Sequence, residues 1–152
     1  MKELIFTVFL LIAALTLKAQ TNDMFLESES RYSFDETVKI LTETINNGGW
    51  KIPIVHDLKE SMKKANKEVL SVKVFELCNP KHSYRLLSKD DERIYSSLMP
   101  CRLSVYEKSD GKTYISRLNS IILSKQIGGL VEEVMTDATD ETEGFLKDII
   151  KQ

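Results

Sequence analysis

The sequence predicts an α+β fold, in which a single compact domain packs helices on one mostly antiparallel sheet. Residues 69–77 alternate apolar and polar side chains with the period of a strand. Ser109-Asp110-Gly111 is a hairpin turn signal between two short strand-like segments. Apolar residues recur at helical spacing after Ser33 and again over residues 120–150. The 152 residues are enough for one sizeable core and not for two.

The N-terminal elements follow from capping and periodicity. Residues 25–32 predict a partly exposed strand. Ser33 and Glu36 have the spacing of a capping box, which starts the first helix. Its apolar face carries Phe34, Val38, Leu41 and Ile45. Gly48-Gly49 predicts a left-handed exit from this helix. Residues 50–55 predict a second strand, which Pro53 places at an edge or at a bulge.

The middle of the chain predicts a short helix, a strand and a second short helix. Asp57 is expected to cap a helix through Ala65, with Leu58, Met62 and Ala65 facing inward. The strand at residues 69–77 ends abruptly at Cys78-Asn79-Pro80. Residues 81–89 predict a helix whose apolar contacts are Tyr84, Leu86 and Leu87. Residues 90–98 continue this helix or form a loop.

The C-terminal part predicts a hairpin followed by helix. Met99-Pro100-Cys101 opens a strand over residues 102–107, and residues 113–118 form its return strand. Residues 120–150 are expected to be helical, with Gly128-Gly129 as a break. Their apolar stripe consists of Val131, Val134, Ala138, Phe145 and Ile149. The predicted order is therefore β-α-β-α-β-α-β-β-α.

The N-terminus predicts export. Lys2 precedes an uncharged apolar run over residues 4–17, which is too short to span a hydrocarbon core of about 30 Å as a helix. Such a run is typical of a secretory signal peptide, with the small residue Ala19 near the expected cut. We therefore expect a signal peptide at residues 1–20, a single domain at residues 21–152, and a periplasmic or secreted protein that meets a membrane only during export.

Composition and motifs exclude several functions. The formal net charge is −2, with 21 Lys and Arg against 23 Asp and Glu, whereas nucleic-acid binders usually show a basic excess. The chain contains no dinucleotide-binding, phosphate-loop, nucleophile-elbow, HExxH or CxxC motif. The sequence therefore favours a protein without catalytic activity. It does not indicate a cofactor.

Soft and polar side chains are concentrated at predicted strand ends. Cys78 closes one strand, His82 follows it, and Met99 and Cys101 open the next strand. If these strands are antiparallel neighbours, the two cysteines lie close together, and His56 at another strand end is expected to join them. One interpretation is a Cys78–Cys101 disulfide, which suits an exported chain. Another is a soft-metal or haem site, since thiolate, thioether and imidazole suit such metals. Its candidate ligands are Cys78, Cys101, His56, His82 and Met99. The third is two independent buried cysteines or a reversible thiol pair.

Five segments carry a resemblance to a known family: Ser33 to Val38, Trp50 to Leu58, Val74 to Pro80, Leu98 to Arg102, and Val105 to Lys112. They resemble the domain of unknown function 302 family. Many members have Gly at the position of Cys78 and Leu at that of Met99, so this chain is similar to a Cys-bearing branch. The resemblance implies a compact α+β fold and homodimers, and it implies no established activity.

Three hypotheses for function remain open. The first is an exported small-ligand-binding or accessory domain. Its crevice is expected to be lined by Cys78, Asn79, Pro80, His82, Met99, Pro100 and Cys101. The second is a protein that handles a soft metal, haem or thiol redox through Cys78 and Cys101. The third is a structural dimer module in which these cysteines form a disulfide.

Overall fold

The structure is a computed structural model that describes residues 24–151. Its sheet has five antiparallel strands in the order β1-β5-β4-β3-β2. The strands are β1 (Phe25–Glu29), β2 (Lys51–Asp57), β3 (Val72–Cys78), β4 (Cys101–Glu107) and β5 (Thr113–Leu118). The predicted signal peptide at residues 1–20 lies outside the described part of the chain. The predicted α+β class and element order are confirmed.

Five α-helices and one 3-10 helix complete the described chain. The α-helices are α1 (Phe34–Asn47), α2 (Leu58–Lys64), α3 (Pro80–Leu87), α4 (Ser120–Ile127) and α5 (Gly129–Leu146). The 3-10 helix (Arg93–Leu98) follows α3 and precedes β4. Between residues 24 and 151, no helix combines the length and apolar character needed to cross a membrane.

Local chemistry explains where the first elements start and stop. The Glu36 carboxylate accepts hydrogen bonds from the Ser33 backbone N–H at 3.2 Å and the Ser33 hydroxyl at 2.6 Å. The predicted capping box is therefore present, and Gly49 leaves α1 with φ +79°. Both predictions from Pro53 are also confirmed, because β2 is an edge strand whose register shifts between Lys51 and Ile54.

The main core lies between one face of the sheet and helices α1 and α5. Its buried residues are Phe34, Leu41, Ile45, Trp50, Phe75, Leu77, Leu103, Val105, Ile115, Ala138, Leu146 and Ile149. Phe75 and Leu77 are two residues apart on β3 and therefore face the same side of the sheet. A second, smaller cluster joins α3 to α5 through Leu86, Val131 and Val134, with Tyr95 and Met99 packed against it.

The structure corrects several predicted details. Helix α2 buries none of its residues, so Leu58, Met62 and Ala65 do not face inward. Its seven residues follow edge strand β2 and lie against β3, where they stay exposed. On α3, Leu86 is buried as expected, whereas Tyr84 and Leu87 are exposed. The predicted break at Gly128-Gly129 is confirmed, because both glycines have positive φ and separate α4 from α5, whereas α5 ends at Leu146 and not at Ile150 as expected.

Candidate functional site

A cavity of about 340 Å³ opens at the end of the sheet where β3 finishes and β4 begins. Its walls come from these strand ends, α3, the 3-10 helix and α5. Most of the lining side chains are apolar. They are Trp50, Pro53, Leu77, Leu86, Leu87, Leu98, Met99, Pro100, Val131, Val134, Met135 and Ala138. The cavity thus lies between the main core and the smaller cluster on α3 and α5.

Six of the seven residues predicted to line a crevice surround this cavity. They are Cys78, Asn79, His82, Met99, Pro100 and Cys101. The seventh, Pro80, does not line the cavity; it is the first residue of α3, where its missing N–H removes no helical hydrogen bond. The antiparallel pairing of β3 with β4 brings these residues together, since Leu77 pairs directly with Cys101.

A polar corner forms where β3 passes into α3. The Asn79 side-chain oxygen accepts a hydrogen bond from the Lys81 N–H at 3.0 Å and caps the helix. The Ser83 hydroxyl donates to the Asn79 carbonyl at 3.2 Å, and its oxygen lies 3.7 Å from the Cys78 sulfur. Thiol, hydroxyl and amide groups are therefore collected at one end of an otherwise apolar cavity.

Glu141 on α5 connects this corner to β2. One of its carboxylate oxygens accepts hydrogen bonds from Trp50 Nε1 at 2.7 Å and Asn79 Nδ2 at 3.4 Å. The other lies 3.0 Å from His82 Nε2. Burial alone would raise the pKa of Glu141, but the Trp50 hydrogen bond and the nearby His82 outweigh burial and lower it. Glu141 is thus held as a carboxylate behind the cavity wall.

His82 is the buried titratable residue of the cavity wall. It is 5% exposed, and its ring centre lies 5.6 Å from that of Trp50. Neither ring nitrogen makes a hydrogen bond with the described residues. The Glu141 carboxylate lies 3.0 Å from Nε2 without the alignment of a hydrogen bond, so the contact between the two groups is electrostatic.

The two cysteines are neighbours, and both are free thiols in the structure. Because Leu77 is the direct partner of Cys101, Cys78 occupies the alternate, diagonal position at the end of β3. A Cys78–Cys101 disulfide would therefore join positions that are one residue out of register. Burial, followed by the proximity of Cys78, raises the pKa of the Cys101 thiol. Cys101 is consequently held as a protonated thiol.

His56 does not join the cavity, contrary to the expectation that it converges there. It pairs with Val74, four residues before Cys78 on β3, and its Nε2 lies 3.2 Å from Glu76. β2 runs antiparallel to β3, so its first residue, Lys51, pairs with Cys78, and His56 near its other end lies away from the cysteines. Within residues 24–151 there is no group of three or more His, Cys, Asp or Glu side chains placed to hold a metal ion.

Two residues of this region were not singled out from the sequence. Trp50 was taken as the start of a strand and of a segment that carries the family resemblance, not as a site residue, yet it lines the cavity and is 2% exposed. Glu141 carried a usable signal, because it lies three residues after Ala138 and four before Phe145 on the predicted apolar stripe of α5. A carboxylate in such a stripe requires buried hydrogen-bond partners.

The fold and the site define a class of small α+β domain, in which helices cover one sheet and leave an apolar pocket at the strand ends. A family model for the domain of unknown function DUF302 matches residues 26–152, so the chain belongs to the DUF302 family. The crystal structure of an uncharacterized conserved DUF302 protein from Bacillus stearothermophilus is similar, with a TM-score of 0.73 and 19% sequence identity. The similarity covers 82% of this chain and 97% of that one. No curated protein matches the chain.

Proposed function

We propose that this chain is an exported domain that binds a small, mainly apolar ligand in the cavity at the end of β3. The observation that carries the proposal is the cavity itself, which has about 340 Å³ of space, apolar walls and one polar corner. Ligand sites in proteins are typically concave and mostly apolar, with a few convergent polar groups that orient the ligand. Binding of this kind requires no catalytic residue.

Export belongs to the same proposal. Its support is the uncharged run at residues 4–17, which is typical of a secretory signal peptide. A periplasmic or secreted domain would meet its ligand outside the cytoplasm, and the near balance of acidic and basic residues argues against a nucleic-acid partner. A homodimer remains a prediction, which light scattering on the purified protein would test directly.

Binding can be measured with a neutral apolar dye, N-phenyl-1-naphthylamine. The dye should bind saturably and quench the fluorescence of Trp50, which is the single tryptophan of the chain and lines the cavity. Ala138→Leu adds an isopropyl group inside the cavity and should weaken binding by about tenfold or more. Ala65→Leu makes the same change at an exposed position and should leave binding unchanged.

Val134→Ile is a milder test of the same wall, because it adds a single methyl group. It should weaken binding less than Ala138→Leu and provides a second variant if the larger change disturbs folding. Absence of saturable quenching in the natural chain would refute the proposal. Equal affinities for the Ala138 and Val134 variants and the natural chain, with folding shown intact by circular dichroism, would also refute it.

A soft-metal or thiol function is the second candidate, because Cys78, Met99, Cys101 and His82 line one cavity. Thiolate, thioether and imidazole ligands suit Cu(I). The test is a Cu(I) titration against a chromophoric chelator, together with thiol counting before and after reduction. Two free thiols before reduction, together with no retained copper, would exclude both the Cu(I) site and the Cys78–Cys101 disulfide. Retained copper that is lost in Cys78→Ser and Cys101→Ser would establish the metal site.

A further inference from the structure

Residues 58–70, which run from the start of α2 to the approach to β3, are all exposed. Residues 54–70 together hold six of the thirteen large apolar side chains that are left exposed in the described part of the chain. Single exposed apolar residues are normal, whereas a concentration of them indicates an interaction surface. Within residues 58–70, which we call the α2 patch, these side chains are Leu58, Met62, Val69 and Leu70.

The apolar side chains of α2 share one face of the helix. Leu58, Met62 and Ala65 have the spacing that predicted an inward-facing stripe, yet all three are exposed. Lys59 and Lys63 repeat the four-residue spacing of Leu58 and Met62 one position further along the chain, so lysines border the apolar stripe. The helix therefore presents an apolar strip with positive charge along its side.

The charge of the α2 patch differs from that of the chain as a whole. Residues 58–67 carry four lysines and one acidic residue, Glu60, which gives a local net charge of +3 in a chain with a net charge of −2. Within residues 24–151, none of these four lysines forms an ion pair, whereas Lys108 pairs with Glu27 and Lys112 with Glu29. An anionic partner would therefore complement the patch.

The combination of apolar and basic side chains distinguishes between partners. A second copy of the chain that docked through the same surface would place lysine against lysine, because a two-fold interface is self-complementary. An anionic bilayer supplies both kinds of contact, since its charged headgroups lie at the surface and its acyl chains lie directly beneath them. A bilayer also requires no shape complementarity from a helix of seven residues.

We infer that the α2 patch is a peripheral docking surface for an anionic phospholipid bilayer. Leu58 and Met62 enter the interfacial layer, and the lysines contact the headgroups. The patch lies at the end of the sheet opposite to the cavity, because Asp57 pairs with Lys73 near the start of β3, whereas the cavity opens where β3 finishes. The inference thus goes beyond ligand binding, and it departs from the expectation that the chain meets a membrane only during export.

Amide hydrogen exchange followed by mass spectrometry measures contact at α2 itself, so attachment through residues 4–17 does not enter the result. The full chain is mixed with vesicles of phosphatidylcholine alone or of equal parts phosphatidylcholine and phosphatidylglycerol. The anionic vesicles should slow exchange in α2 by about tenfold at a lipid concentration about tenfold above half-saturation. Neutral vesicles should not slow it, and about 0.5 M salt should remove most of the effect. Equal exchange with both kinds of vesicle would overturn the inference.

Lysine variants test the electrostatic part through the lipid concentration that half-protects α2. Lys59→Gln with Lys63→Gln should raise it by about 25-fold, because each lysine near an anionic surface contributes about fivefold in affinity. Arginine at both positions should restore binding. Lys89→Gln with Lys125→Gln removes the same charge at exposed positions outside the patch and should change binding by less than about twofold. Equal binding by the two glutamine pairs would overturn the inference.

Apolar variants test entry into the bilayer and separate it from docking on an acidic protein. Leu58→Gln with Met62→Gln keeps the lysines and should weaken vesicle binding by about tenfold or more, because the apolar contact is lost. Ile94→Gln is the control, since Ile94 is 74% exposed outside the patch and should not affect binding. If the lysines are required and the apolar pair is not, the patch is a purely electrostatic surface and the bilayer assignment is wrong. Circular dichroism verifies that each variant is folded.

Discussion

Replacing Glu141 with Leu should lower the free energy of unfolding by about 2 kcal/mol. Trp50 is 2% exposed, and its Nε1–H donates to the Glu141 carboxylate at 2.7 Å. A buried donor that loses its acceptor costs about 1–3 kcal/mol, and hydrogen bonds to charged groups contribute about 1.5–3 kcal/mol. Glu141→Gln retains an oxygen for Trp50 and should cost only about 1 kcal/mol.

Urea denaturation followed by far-ultraviolet circular dichroism measures these differences without using Trp50 as a probe. Glu133→Leu is the matched control, because Glu133 lies on the same helix, is 69% exposed and contacts Arg85 at 3.4 Å. It should change stability by no more than about 0.5 kcal/mol. If Glu141→Leu unfolds at the same urea concentration as Glu133→Leu, the Trp50 hydrogen bond does not stabilise the fold and the reasoning fails.

The stabilisation from Glu141 should also depend on pH in a defined direction. Its pKa is lowered in the folded protein, since the contacts to Trp50 and His82 outweigh the effect of burial. A lowered folded-state pKa means that the stabilisation is complete above the unfolded value of 4.5 and is lost as the pH falls through the folded value. The stability gap between the natural chain and Glu141→Gln should therefore be wider at pH 7 than at pH 3. A gap that widens on acidification would contradict the assignment.

Three further predictions concern the core, the thiols and α2. Gly48→Ala should destabilise the fold by at least about 1 kcal/mol, because a Cβ there would lie 2.4 Å from the Phe145 ring; thermal unfolding measures this. Cys101 should react with Ellman's reagent more slowly than Cys78 at pH 8, because burial raises its pKa, and single Cys→Ser variants assign the two rates. Leu58→Ala should change stability by less than about 0.5 kcal/mol in urea, since Leu58 is 39% exposed; a loss above 1 kcal/mol would show that α2 packs against another surface.

The fold was predictable from sequence wherever side-chain periodicity and capping agreed. The capping box at Ser33 and the hairpin after Glu107 each use local chemistry that the chain carries within a few residues. Helix α2 was predicted with the wrong environment, because its pattern resembles an amphipathic helix whereas its contact with β3 leaves none of its residues buried. Whether an apolar face is covered depends on the rest of the fold, which periodicity does not describe.

The candidate site was predictable to the extent that it depends on strand pairing. The break at Cys78-Asn79-Pro80 and the strand opening at Cys101 place these residues at one end as soon as β3 and β4 are antiparallel neighbours. His56 was misplaced because periodicity does not show that β2 and β3 are antiparallel neighbours, an arrangement that puts the last residues of the two strands at opposite ends of the sheet. The contributions of Trp50 and Glu141 depend on α5 crossing the same strand end, which is a contact between segments 91 residues apart.

The charge distribution of the site separates the two leading hypotheses more sharply than its cysteines do. A thiol that acts as a nucleophile or readily binds a metal needs a nearby cation or a helix N-terminus to stabilise the thiolate. At Cys101 the surroundings do the opposite, since burial and the neighbouring Cys78 both raise its pKa. The same uncharged walls that disfavour a thiolate are those that accommodate an uncharged apolar ligand. Because no Lys, Arg, Asp or Glu lines the cavity among the described residues, its walls fit the proposed apolar ligand better than they fit chemistry at the cysteines.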